Sequence, residues 1–237
     1  MHALRDTHHT QTVSEHFSQK FKIMKKIIII FSFLLATSQL LSQKGIDLTS
    51  DKALTKVFNE TEIQGLESMI QYVDDMVFNR ENTTDANEAY HLYFKDIAQT
   101  QEYIVAFEEN LKYEFLESLD SIQFSSIWTF DNHYKTISTG DTVYRNLEDI
   151  KVLSVNSTSK YMDYLEVIGK EDPFFKNLHR DFLNIENVSA STYHILFIER
   201  LTNFDFNMPK NRLWAAICLL SREEPIEKKL DRSLKNK

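Results

Sequence analysis

Four glycines and three prolines are spread over 237 residues, and this scarcity of turn-forming residues restricts the folds open to the chain more than any other feature. All-β domains need turn residues every few positions, and parallel α/β sheets usually place glycine in their strand-to-helix loops. The expectation is therefore an all-α fold: one domain of seven or eight helices, with at most a small β-hairpin near Gly140.

Periodicity supplies the helices. Ile63, Leu66, Ile70, Val73 and Val77 recur at spacings of three and four, which predicts a helix over about 62–78 with Glu67, Asp74 and Asp75 off its apolar stripe. A short helix capped by Thr49 or Ser50 precedes it. Ala86, Tyr90, Tyr93 and Ile97 form one later face, and Ile104, Phe107, Leu111, Phe115 and Leu119 form another. The phase shifts at the polar seam Gln99-Thr100-Gln101, which favours two helices over one.

The segment 122–145 carries both signals. Trp128, Phe130, Tyr134, Ile137, Val143 and Tyr144 suit strands, and Thr139-Gly140-Asp141 suits a hairpin turn. Val143, Leu147 and Ile150 have helical spacing, and on that basis 121–134 reads as helix or irregular and 141–154 as helix. Four helices follow. Ser157 or Thr158 caps the first (Tyr161, Leu165, Ile168), which stops at Gly169. Asp172-Pro173 opens the second (Phe174, Leu178, Phe182, Ile185). Ser189 or Ser191 opens the third, and Asn207 with Pro209 the fourth, whose LWAAICLL is apolar on every side and belongs at the centre of the core. The charged tail 223–237 is expected to fray into solvent.

Met24 to Gln43 has the three parts of a secretory signal peptide: Lys25-Lys26, an apolar run from Ile27 to Ala36, and a Ser/Gln-rich exit. The apolar run is about half the ~20 residues that a membrane-spanning helix needs. Cleavage after Ser38 or Ser42 fits the small residues there. Residues 1–23 sit oddly upstream of such a signal and read as a disordered extension, with translation expected to start at Met24. Four of the eight histidines lie in that prefix and are set aside. Residues 24–42 are thus assigned as signal, 43–222 as the helical domain and 223–237 as the tail. The lysine-led signal has a bacterial look, which places the mature protein in a periplasm or outside the cell and discounts its Asn-x-Ser/Thr sites as glycan acceptors.

Residues 1–42 carry five Lys/Arg against two Asp/Glu, so the chain from Gln43 has a formal net charge of −11, against −8 for the whole. An acidic body repels phosphate backbones, which argues against nucleic acid as a partner. The single cysteine, Cys218, excludes an intrachain disulfide and reads as a small buried hydrophobe.

The chemical motifs are missing: no phosphate loop, dinucleotide fingerprint, nucleophile elbow, HExxH or Cys-x-x-Cys occurs. Ser157-Thr158-Ser159-Lys160 matches S-x-x-K, the spacing that sets a lysine beside a nucleophilic serine in penicillin-binding proteins and related β-lactamases, but the S-D-N and K-T-G partners are absent. It reads as a helix cap followed by a solvated lysine. His91, His133, His179 and His194 are too far apart for a local zinc pair, and no cofactor or metal is expected. The adjacent carboxylates Asp74-Asp75, Glu108-Glu109, Glu148-Asp149 and Glu223-Glu224 point about 100° apart on a helix and read as solvated faces.

What remains is an exported helical module that binds another protein or an envelope component without catalysis. The alternative is a hydrolase whose Asp, Glu or His residues converge only in three dimensions. The candidate contact residues are Trp128, Asp131, His133 and Tyr134, where aromatic and polar side chains interleave without a helical period.

Overall fold

The computed structural model describes residues 45–100, 106–131, 136–145, 147, 150–184 and 200–235. The signal segment, the prefix before it and most of the helix expected from Ser189 or Ser191 lie outside these residues. Among them are nine α-helices: α1 (Lys52–Val57), α2 (Glu60–Glu81), α3 (Ala86–Thr100), α4 (Glu109–Ser118), α5 (Ser121–Ser125), α6 (Lys160–Ile168), α7 (Pro173–Asn184), α8 (Pro209–Leu220) and α9 (Ile226–Lys235). Four short strands complete the set: β1 (Trp128–Asp131), β2 (Thr136–Thr139), β3 (Thr142–Arg145) and β4 (Val152–Val155). The fold is all-α with a small hairpin at Gly140, as the turn-residue count requires.

The expected stripe organises the core. Ile63, Leu66, Ile70, Val73 and Val77 are all buried on α2, and roughly 1.5–3 kcal/mol of gross burial accompanies each. Asn59 and Glu62 close a capping box at the start of α2: the Asn59 side chain accepts from the Glu62 N–H at 3.0 Å, and Glu62 Oε2 accepts from the Asn59 N–H at 2.7 Å. Gly65 lies where α5 crosses: a Cβ there would stand 2.7 Å from Cβ of Gln123. Helix α8 packs on α2 and is buried on all sides from Asn211 to Leu220, as LWAAICLL predicts. Helices α3 and α4 are separate, with Glu108 extended at the start of α4.

Four expectations change. The described residues between 141 and 154 carry two strands and no helix. Gly140 takes φ +56°, and Thr139 pairs with Thr142 across a two-residue loop, the arrangement that a leading glycine allows. β4 pairs antiparallel with β1, setting Trp128 opposite Val155. β-Branched Val152 and Val155 suit that ladder, and the helical spacing of Leu147 and Ile150 instead serves a small satellite cluster with Ile137 and Leu230. Of the face expected around α4, Phe107, Phe115 and Leu119 pack half-buried against the core but Leu111 is exposed, and the fully buried positions of α4 are Glu109, Lys112 and Leu116. Asp74, off the apolar stripe, is nevertheless buried beside Arg212. The charged tail does not fray within the described residues: it forms α9, with Lys229, Leu230 and Ser233 buried.

Candidate functional site

The charges that displaced apolar residues from α4 and α9 meet around one cleft. Glu109 and Lys112 stand one turn apart on α4, and Lys229 and Arg232 stand one turn apart on α9, so each pair shares a face. The connector from α8 supplies Glu223 and Glu224 between them. Lys112 is fully buried, and Glu109, expected on a solvated face, is 1 % exposed.

Every carboxylate oxygen in this cluster has a partner. Glu109 Oε1 accepts from Arg232 at 2.6 Å, and its Oε2 accepts from the Glu224 N–H at 3.0 Å and faces Lys229 Nζ at 3.0 Å. Glu223 Oε1 accepts from Lys112 Nζ at 3.1 Å, and its Oε2 accepts from Tyr113 Oη at 2.5 Å and from Lys229 Nζ. Glu224 takes Lys228 at 2.7 Å and Arg232 at 2.8 Å. Lys112 Nζ also donates to the Arg222 carbonyl at 2.9 Å, and Lys229 Nζ to that of Lys151 at 2.9 Å. The ring of Phe130 on β1 lies edge-on to Tyr113 at 5.0 Å, which fixes the phenol over Glu223.

The electrostatics follow from burial set against pairing. Burial holds the Glu109 carboxyl above its ordinary value, with Glu223 adding to the effect. Burial also pushes Glu223 upward, but Lys112 and Lys229 outweigh it and leave that carboxyl below its ordinary value. For Glu224, hydrogen bonds from Lys228 and Arg232 outweigh burial in the same way. Desolvation lowers the Lys112 ammonium and raises the Tyr113 phenol. Two carboxyls sharing Lys229 are therefore driven in opposite directions.

The cleft has a volume of about 390 Å³. Glu109, Tyr113, Lys229, Arg232 and Ser233 line its inner part, and Asn110, Glu114, Glu117, Ile150 and Lys151 complete it. Lys151 and Glu117 pair across its outer edge at 2.5 Å, both about half exposed. Ser233 is 4 % exposed, and its buried hydroxyl has no hydrogen-bond partner.

Of the residues expected to make contact, the two that are described, Trp128 and Asp131, do not line this cleft. Trp128 is 1 % exposed and lies in the main core, with its indole N–H directed at Met69 Sδ at 3.1 Å. Asp131 ends β1, opposite Val152 and half-buried. His133 and Tyr134 lie outside the described residues, as do His194 and the pair Glu148-Asp149. His91 is half-buried, with Nε2 at 2.9 Å from the Phe204 carbonyl. Ser159, not Ser157 or Thr158, stands at the N-cap position of α6, without a side-chain capping hydrogen bond, and Lys160 is paired with Glu62 at 2.7 Å rather than simply solvated. Among the described residues no three His, Cys, Asp or Glu side chains are grouped as a metal site would need, and no helix is long and apolar enough to cross a membrane.

Sequence offered one overlooked signal for the cleft: charges spaced three apart, Glu109/Lys112 and Lys229/Arg232, where an apolar stripe should have run. Comparison with known protein families, with curated proteins and with solved structures finds no match to this chain.

Proposed function

We propose that this protein is an exported helical module that binds another protein or an envelope component, makes that contact at the α4–α9 cleft, and catalyses nothing. The observation that carries the reading is the complete mutual engagement of the inner charged groups. Each of the six oxygens of Glu109, Glu223 and Glu224 already accepts from, or faces, a protein donor, whereas a general acid or base must reach a substrate proton. The exposed edge, with Asn110, Glu114 and Lys151, is left to meet a partner. The signal-like stretch from Met24 to Gln43 supports export to a bacterial periplasm or the medium.

A second reading, a hydrolase, has one observation in its favour. Glu109 is shifted up and Glu223 down, and paired carboxyls driven apart are what an acid and a base require.

One experiment separates the two. A photoreactive residue is placed at Glu114 in the cleft edge and, as control, at Lys176 on α7, which does not line the cleft. The protein is then crosslinked in the producing cells. A discrete adduct from position 114 alone supports the binding module. Equal or absent adducts at both positions, or turnover of an envelope polymer that Glu109→Gln abolishes, overturns it. N-terminal sequencing of released protein is expected to begin between Gln39 and Lys44, and an intact Met24 start in the cytoplasm would contradict export.

A further inference from the structure

We propose that α9 is a clasp that closes one wall of the cleft, held there mainly by charge, and that strong acid releases it while the helical body stays folded. The inference rests on the cleft being the binding site and adds how that site is regulated.

The first observation is how little apolar surface holds α9. Leu230 is its one fully buried large apolar side chain, with Ile226 partly buried. Both pack on the satellite cluster of Ile137, Leu147 and Ile150, and neither belongs to the main core. A ten-residue helix has little stability of its own in water, so its attachment decides whether it stays in place.

The second observation is the arrangement of that attachment. Lys229 bridges Glu109 and Glu223, and Arg232 bridges Glu109 and Glu224. Glu109 is the shared centre. The groups facing it are Lys112 and Tyr113 from α4, Glu223 and Glu224 from the connector, and Lys229 and Arg232 from α9. Three carboxylates balance three buried or half-buried cations, with Lys228 on the outside.

Protonation therefore acts in two steps. The first proton goes to Glu109, and each bridging cation keeps its other carboxylate. Since burial makes the charge on Glu109 costly, this step does not loosen the clasp. Its sign is that of a raised carboxyl: the cost exists above its folded value and vanishes as pH falls through it. Glu223 and Glu224 have the opposite sign. Their stabilisation is complete above the ordinary carboxylate range and is lost as pH falls through their lowered folded values. Once they are neutral, Lys112, Lys229 and Arg232 are left enclosed without counter-charges, and α9 is the element free to carry two of them into water. The clasp is thus tightest in mild acid and opens below the ordinary carboxylate range. With it go Lys229, Arg232 and Ser233, and the cleft loses a wall.

The test is hydrogen exchange of the full chain, corrected for intrinsic rates, followed from pH 7 to pH 3 with α2 as the internal reference. Protection of residues 226–235 is expected to hold or rise toward pH 5, then to fall at least tenfold near pH 3 while α2 keeps its protection. The double variant Glu223→Gln/Glu224→Gln is expected to lose α9 protection at pH 7 with α2 intact, whereas Glu109→Gln keeps it. Loss of α9 and α2 together, in acid or in the double variant, overturns the proposal, and so does retention of α9 protection in either. Crosslinking at neutral pH reads the binding site independently, so failure of the clasp and failure of the binding reading are distinguishable.

Discussion

Removing Arg212 tests whether the buried ion pair between α2 and α8 is a structural necessity or an accessory. Asp74 is 1 % exposed. Its Oδ1 accepts from Tyr90 Oη at 2.8 Å and Arg212 Nε at 2.9 Å, and its Oδ2 faces Arg212 Nη2. Arg212→Met keeps most of the apolar stem beside Phe78 but leaves a buried carboxylate with one neutral donor. Breaking a buried pair from one side costs about 3–5 kcal/mol, against about 5–15 kcal/mol for a whole domain. For a chain of this size each kcal/mol is about 2–4 °C of Tm, so the expected drop is about 10 °C in a thermal melt. Replacing the whole polar group, Arg212→Met with Asp74→Leu and Tyr90→Phe, is expected to recover most of that loss, because no unpaired group remains. Burial already holds Asp74 above the ordinary carboxylate value, partly offset by Arg212. In the single variant its folded value rises further, so its penalty is present above that value and fades as pH falls through it. The gap between the variant and the parent must therefore narrow toward acid. A single-variant cost below about 1 kcal/mol, or a gap that widens in acid, would refute the reasoning.

Two further outcomes follow from local geometry. Gly65→Ala puts a Cβ at 2.7 Å from Gln123 Cβ and 3.3 Å from its Cα, so α5 must shift. A cost of about 1–3 kcal/mol is expected to exceed the helix-propensity gain of ~1 kcal/mol in urea titrations, and a stabilised variant would contradict the close crossing. Burial pushes the Cys218 thiol up to about 12; a thiol reagent at pH 8 is expected to label it only after denaturant is added, and rapid labelling of native protein would show the site to be open.

The core was legible because two physical signals agreed. The Ile63-to-Val77 stripe is periodic and the run Leu213 to Leu220 is apolar on every side, and both lie in the core where those patterns placed them. Charge was misread because sequence cannot show pairing across the fold. Asp74 and Arg212 are 138 positions apart, and Glu109 and Arg232 are 123 apart, so each appears in sequence without its partner, as a polar residue that should face water. The rule for adjacent carboxylates still held in one respect: Asp75 and Glu108 point outward while Asp74 and Glu109 point inward. The hairpin was ambiguous for a local reason. Gly140 permits a left-handed φ without requiring one, and Val143, Leu147 and Ile150 imitate a helix while serving a strand and a loop. Trp128, expected at a contact surface, is instead core, consistent with the large apolar area its ring gains by burial.

The place of α8 in the chain sets the order of assembly. The element buried on every side is among the last to be made, and its ionic tie reaches back to α2 across more than half the sequence. The earlier helices cannot finish their common core until residue 220 is available, so closing that core depends on contacts of long sequence separation, which slow folding. A nascent chain of this design remains unfinished through most of its synthesis. Under the export proposed above, with the chain crossing a membrane as an unfolded strand, that delay would keep it threadable until the crossing is under way.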